Sequence, residues 1–272
     1  MLKSYAFDVD ANLVFTDDTI WIEVLENGNR TPREISQKQF EELWSDINLW
    51  KKLRYVNNDK EQSMVNFKRK WGFEKSVFDA LSQGKLGPSW NKFLEANKQA
   101  SPIALITARG HPIEDLKSTH KKIIYEVLTE GQREDLIDNM KEHLWRYYIY
   151  DDMTINAYLD NNYYAPCTNE VFLESINKNL SCSMPETKNA AFEQFVLHVK
   201  KVFESYYGAN FLTNRKIRLG FSDDTNANIQ WLDDFINKEY TWLMWKYNEI
   251  KFALYDTNKP ENTIKFNYSK KG

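Results

Sequence analysis

Hydrophobic positions along the chain alternate between short unbroken runs and longer stripes at helical spacing. Tyr5-Ala-Phe7 is a short apolar run that stops on Asp8 and Asp10. Ile103-Ala-Leu-Ile106 is a second run and stops on Thr107-Ala-Arg-Gly110. A third strand is expected between Leu159 and Pro166. A fourth, Lys216-Ile-Arg-Leu-Gly-Phe-Ser222, runs into Asp223-Asp224, and a fifth spans Ile250 to Tyr255. Apolar runs of this length, bounded by turn residues, read as strands buried on both faces. Helical stripes separate them. Ser89 to Ala100 carries Trp90, Phe93 and Leu94 on one face, and a helix opens at His111-Pro112 with Glu114 and Asp115 in its first turn. Gln132 to Trp145 reads as a long polar helix. Ser183-Met-Pro-Glu186 has the form of a capping box before a stripe of Phe192, Phe195, Val196, Val199, Val202 and Phe203 that ends at Gly208. Asn226 to Ile236 is a further helix, and the tail from Asn258 is polar and loose.

Between the first two strands the pattern changes. Leu13 to Phe15 and Ile20 to Leu25 suggest a small hairpin or flap, with a turn at Asn27-Gly-Asn29. Thr31-Pro-Arg-Glu34 has the form of a capping box with Pro at the first helical position, and Phe40, Leu43, Trp44, Ile47 and Trp50 continue it at helical spacing to about Leu53. Asp59 to Trp71 and Ser76 to Leu81 read as two more helices. The expected architecture is therefore α/β: a parallel sheet with helices on both faces, formed by residues 1–11 and 88–272, with a mostly helical cap at 12–87 inserted after the first strand. A second insertion lies near 118–158, and Leu144 to Tyr150 within it could be helix or strand.

Composition narrows the class. The chain has 272 residues and 42% apolar content, enough for one large core with an appendage. A net charge of -3 argues against a dedicated nucleic-acid binder. Cys167 and Cys182 have no metal-ligand spacing and suggest a reducing compartment. No signal peptide precedes the first strand and no apolar run approaches membrane-spanning length, so a cytoplasmic location and no membrane partner are expected. Oligomeric state is not legible.

Three strands end in polar groups: Asp8 with Asp10, Thr107, and Asp223 with Asp224. At the carboxyl edge of a doubly wound sheet these ends can lie side by side, where ligands bind. Four carboxylates would then converge, and crowded acids need a cation or a proton between them. Hard oxygen ligands with room for water suit Mg2+.

On these residues the chain resembles the haloacid dehalogenase-like hydrolase superfamily. Asp8-Val-Asp10-Ala-Asn-Leu13 is similar to its first motif, Leu105-Ile-Thr107-Ala-Arg-Gly110 to its second, and Gly220-Phe-Ser-Asp223-Asp224 to its fourth. Thr187-Lys188, at the start of the stripe helix, fits the third. The resemblance implies a Rossmann-like core and a Mg2+-dependent phosphatase acting on a small phosphorylated substrate. It makes Asp8 the nucleophile, through an aspartyl-phosphate, and Asp10 the general acid and base, its backbone carbonyl facing the metal. Thr107, Ala108 and Lys188 would hold the phosphoryl group, and Asp8, Asp10, Asp223 and Asp224 the metal. Ala11 and Asn12 depart from the usual Gly and Thr of the first motif, and Phe221 from an acid often found in the fourth. Lys216, just before the fourth strand, is the rival lysine, although a strand start points to the far rim of the sheet.

Two other readings stand beside this one. The departures at Asn12 and Phe221 suit a catalytically silent binding or scaffold protein on the same fold. Lys68, Arg69 and Lys70 would suit an enzyme acting on nucleic-acid end phosphates, against the net charge. Asp151-Asp152, after Tyr147-Tyr-Ile-Tyr150, mimics a strand ending in acids, but no helix is evident after it.

Overall fold

A computed structural model describes residues 1–26, 28–36, 39, 53–58, 60–63, 72–144, 150–213, 215–238, 250–257 and 264–268. The chain begins with β1 (Leu2–Phe7) and passes into an inserted block containing β2 (Thr19–Glu26), β3 (Asn29–Ser36), β4 (Leu53–Tyr55), a single helical turn at Lys60–Ser63 and α1 (Phe73–Ser82). It continues with α2 (Trp90–Lys98), β5 (Ile103–Thr107), α3 (Ile113–Glu126), α4 (Glu130–Leu144), α5 (Asp151–Asp160), β6 (Tyr163–Pro166) and α6 (Glu170–Ser175). Then come α7 (Met184–Tyr207), β7 (Ile217–Asp223), α8 (Asn226–Lys238), β8 (Ile250–Asp256) and β9 (Ile264–Tyr268).

The main sheet has the order β6-β5-β1-β7-β8-β9, in which the first five strands are parallel and β9 is antiparallel to β8. Successive residues of each strand point to opposite faces, so each strand feeds two cores. Ala6, Ala104, Ile106, Leu219 and Phe252 pack with the stripe of α7 and with Ile229, Leu232 and Ile236 of α8. Tyr5, Phe7, Ile103 and Leu105 pack on the other face with α1, α2 and α3. Burial on both sides is why these strands read as continuous apolar runs. The described residues of 118–158 include the end of α3, α4 and most of α5. Their apolar residues Leu136, Ile137, Met140 and Ile155 join Ile124, Leu159 and Ala100 in a separate cluster outside the helices that cover the sheet.

The inserted block differs from its sequence reading. Thr31-Pro-Arg-Glu34 does not open a helix; it lies within β3, paired antiparallel with β2 from Thr19↔Ser36 to Glu26↔Asn29. Pro32 lacks an N–H but sits on an edge strand of the β3-β2-β4 sheet, where none is needed. Ile20 and Ile22 gather Ile35, Leu53 and Tyr55 into a small apolar cluster that stabilises the strand pairing. Gly28, at φ +79, occupies the two-residue loop of this hairpin, a backbone conformation glycine adopts at little cost. The turn thus lies where its residues predict it, and the strand after it is the second arm of the hairpin. All of the expected helix over 37–52 except Gln39, most of the one over 59–71, and the Lys68, Arg69 and Lys70 cluster lie outside the described residues. Two further readings are corrected. The polar tail contains β9, and Asp151 does open a helix, α5. Among the described residues no helix is long and apolar enough to cross a membrane.

Candidate active site

In chain order the five parallel strands lie third, second, first, fourth and fifth, so the strand order reverses between β1 and β7. A crevice at the carboxyl ends of strands at such a reversal is the usual ligand site of open α/β sheets. Asp8 follows β1 and its N–H donates to the Ser222 carbonyl on β7 (3.0 Å). Asp223 is the last residue of β7, and Asp224 follows. One carboxylate oxygen from each of Asp8, Asp223 and Asp224 lies within 4.8 Å of the others.

Lys188, in the second turn of α7, reaches into this cluster. Its Nζ is 2.7 Å from Asp223 Oδ2 and 3.1 Å from Asp8 Oδ1. The helix is held in place by its cap, with Ser183 Oγ accepting from the Glu186 N–H and Pro185 in the first turn. Lys216 is exposed at the start of β7, at the opposite end of the sheet. Asp223 is further fixed by the Thr225 N–H (2.9 Å) and by Asn228 Nδ2, which donates to both of its oxygens. Burial pushes the Asp8 carboxyl well above the usual carboxylate range; Lys188 opposes that shift, while Asp223 and Asp10 add to it. Burial alone would lower the Lys188 pKa, but Asp223 and Asp8 together hold it above the ordinary lysine value.

The loop after β1 is tightly fastened. Leu13 N–H and Val14 N–H both donate to the Val9 carbonyl, and Ala11 stands at φ +55. That left-handed backbone costs a residue with a Cβ roughly 1–2 kcal/mol. Asn12, fully buried, donates through Nδ2 to the Asp8 carbonyl (2.9 Å) and to the carbonyl and hydroxyl of Ser222, and accepts from Thr257 Oγ1 (2.9 Å). It therefore ties the β1 loop to the ends of β7 and β8. On the other side Gly87 packs so closely that a Cβ there would lie 2.4 Å from the Asn12 carbonyl oxygen.

On β5, Thr107 is buried at the strand end and its Oγ1 accepts from the Arg109 N–H (3.2 Å). The Ala108 carbonyl accepts from Thr168 Oγ1 (2.9 Å). Strands β5 and β7 flank β1 with Phe7 opposite both Leu105 and Ser222, so the ends carrying Thr107, Asp8 and Asp223 are neighbours.

The expected meeting of four carboxylates is corrected to three. Asp10 turns instead to Arg109, which takes both of its oxygens: Nε to Oδ2 at 2.8 Å and Nη2 to Oδ1 at 2.6 Å. Arg109 has no solvent exposure, and its pKa is held above the ordinary arginine value by Asp10 and Asp18 against the effect of burial. Nothing local in the sequence marks this arginine; its partner Asp10 is 99 residues away. Nor does anything local mark Cys167, a buried thiol close enough to feel Lys188, Asp8 and Asp223, which burial pushes up to about 12. His111, read as a helix-start residue, is buried against the Phe73 ring with centroids 5.4 Å apart. Asp151 and Asp152 are exposed and engage Lys141 and Tyr125.

No protein-family model, curated protein or solved structure matches this chain.

Proposed function

We propose that this protein is a Mg2+-dependent phosphomonoesterase of the haloacid dehalogenase-like kind, with 12–87 acting as its cap. The observation that carries the reading is the cluster of Asp8, Asp223 and Asp224 with Lys188 among them. The oxygens of Asp8, Asp223 and Asp224 lie within 4.8 Å of one another, and three hard oxygens fit a divalent cation of the Mg2+ type. Asp8, Asp223 and Asp224 would hold the ion, which supplies charge stabilisation to the phosphoryl oxygens.

The chain's own residues then divide the work. Asp8 attacks phosphorus as a carboxylate, so Lys188 matters twice: it favours the ionised form of Asp8 against burial, and it offers an ammonium to the transferred group. Thr107 is the hydroxyl at the adjoining strand end. Asp10 gives a proton to the leaving oxygen and takes one from the attacking water. Asp10 Oδ1 also accepts from Thr16 Oγ1 (3.0 Å), whereas Oδ2 accepts, among the described residues, from Arg109 Nε alone and is the oxygen with capacity left for the leaving group.

The test is hydrolysis of an aryl phosphate, then of sugar phosphates, nucleotides and phospho-oligonucleotides, with and without Mg2+. Turnover that needs Mg2+ and falls at least about 1000-fold in Asp8→Asn is expected, as for loss of a covalent nucleophile. A protein that binds Mg2+ and turns over none of the panel would instead be the silent binding protein, a reading favoured by the two-pronged hold of Arg109 on Asp10.

A further inference from the structure

Resting on that phosphatase reading, we propose that Arg109 and Asp18 are positioning residues: together they orient the Asp10 carboxylate and tie it to the inserted block, so that movement of the block moves the general acid.

Arg109 belongs to the core, in the loop after β5, yet it is gripped from the insert as well. The Nη2 atom that binds Asp10 Oδ1 is also 2.5 Å from Asp18 Oδ2 and 3.0 Å from Thr16 Oγ1. Asp18 in turn accepts through Oδ1 from Ser76 Oγ of α1 (2.9 Å). Phe73, also of α1, lies under the guanidinium with 5.4 Å between the guanidinium carbon and the ring centre. A single planar group is thus held from the core by Asp10 and from the insert by Thr16, Asp18 and Phe73. The fork is rigid: a shift of Asp18 rotates the guanidinium, and both bonds to Asp10 follow.

A guanidinium without solvent exposure is retained only where carboxylates compensate it, so neither acid can leave without the other taking more of the charge. That makes the contact a coupling device rather than a local brace. Catalysis is sensitive to it, because a displacement of about 1 Å at a reacting group can cost about 100-fold in rate. The lysine at the other side of the site is held differently; Lys188 is bound by Asp8 and Asp223, both of the core.

Steady-state kinetics on an aryl phosphate with Mg2+ test the positioning role. Asp18→Asn lies outside the reacting groups; it should lower kcat by about tenfold with KM within about twofold and the Mg2+ dependence unmoved. Arg109→Lys keeps the charge and loses the fork, so it should lower Tm and lose kcat at least as far as Asp18→Asn does. Wild-type kcat in Asp18→Asn, or full recovery of kcat in Arg109→Lys, would overturn the role. A second measurement needs no turnover. Hydrogen exchange should quicken in α1 and β2 in Asp18→Asn and also in Asp10→Asn, because coupling is reciprocal. The double variant leaves the buried guanidinium without either carboxylate, so its effect should exceed the sum of the two single ones. Unchanged protection of α1 in Asp10→Asn would refute the link to the insert. A wild-type protein without Mg2+-dependent turnover would sink the phosphatase reading alone, and the exchange result would still decide the coupling.

Discussion

Replacing Lys188 with methionine isolates the charge balance at the strand ends. The ammonium is almost wholly buried and sits about 3 Å from two carboxylates, Asp8 and Asp223. At an effective dielectric constant of about 20, each such contact is worth roughly 5–6 kcal/mol before desolvation, and burying the ammonium offsets several kcal/mol of that. Removing one partner of a buried pair costs about 3–5 kcal/mol, because the remaining charge is left unpaired. Here the lower figure is expected. Asp223 keeps Thr225 N–H and Asn228, and Asp8, already pushed upward by burial, can take a proton instead of remaining charged. For a chain of this length about 3 kcal/mol corresponds to a fall in Tm of about 5 °C. The assay is thermal unfolding of wild type and Lys188→Met in chelator and in millimolar Mg2+. The variant should be about 5 °C less stable in chelator and should regain more than the wild type on adding Mg2+, since a cation replaces the missing ammonium. Its hydrolysis of an aryl phosphate should stay at least about 100-fold down even at saturating Mg2+. A variant as stable as the wild type in chelator, or an equal Mg2+ gain in both, would refute the claim that Lys188 balances these acids.

Gly87→Ala should cost about 2–4 kcal/mol and be visible as a lower urea midpoint, because its Cβ would collide with the backbone of Asn12 rather than with a movable side chain. His120 gives a pH test away from the site: it is buried, burial lowers it to about 3, and it bonds Asn97 Oδ1 (2.6 Å) and Tyr164 Oη (3.0 Å). A depressed folded pKa means that its contribution is present above the unfolded value of about 6.5 and is lost as pH falls toward the folded value. Stability should therefore drop by about 2 kcal/mol between pH 7.5 and 5, and His120→Gln should remove that part of the slope in urea titrations at the two pH values.

The five parallel strands and the stripe of α7 are legible because burial on both faces, or along one face of a helix, leaves a periodic record in adjacent residues. Lys188 is preferred to Lys216 on the same ground, since a helix opening at the sheet edge aims its early side chains at the strand ends. The failures share a different cause. Thr31-Pro-Arg-Glu34 satisfies the four-residue pattern of a helix start, and only its pairing with Ile22, Glu23 and Val24 across the turn makes it a strand. Strand β9 is specified by the free edge of β8, which lies outside its own sequence. Arg109 is the strongest case. Within Thr107-Ala-Arg-Gly110 it resembles a residue of a helix-start turn, and only the folded chain brings Asp10 and Asp18 to it.

These two cations explain why the acids at one sheet edge divide as they do. Arg109 faces two carboxylates, those of Asp10 and of the partly exposed Asp18. Lys188 faces Asp8 and Asp223, both buried, with an Asp224 oxygen within 4.8 Å of theirs, and burial leaves Asp8 displaced toward its protonated form despite the ammonium. The second group is the one that a divalent cation would complete. On the proposed reading the nucleophile and the general acid are therefore governed separately: Asp8 becomes a competent carboxylate when the cation arrives, whereas Asp10 is oriented by an arginine that the insert holds. An enzyme so arranged couples ionisation of its nucleophile to metal binding and alignment of its acid to the seating of its cap, and the Lys188 and Asp18 variants should separate the two: the first shifts the response to Mg2+, the second lowers kcat at any Mg2+ concentration.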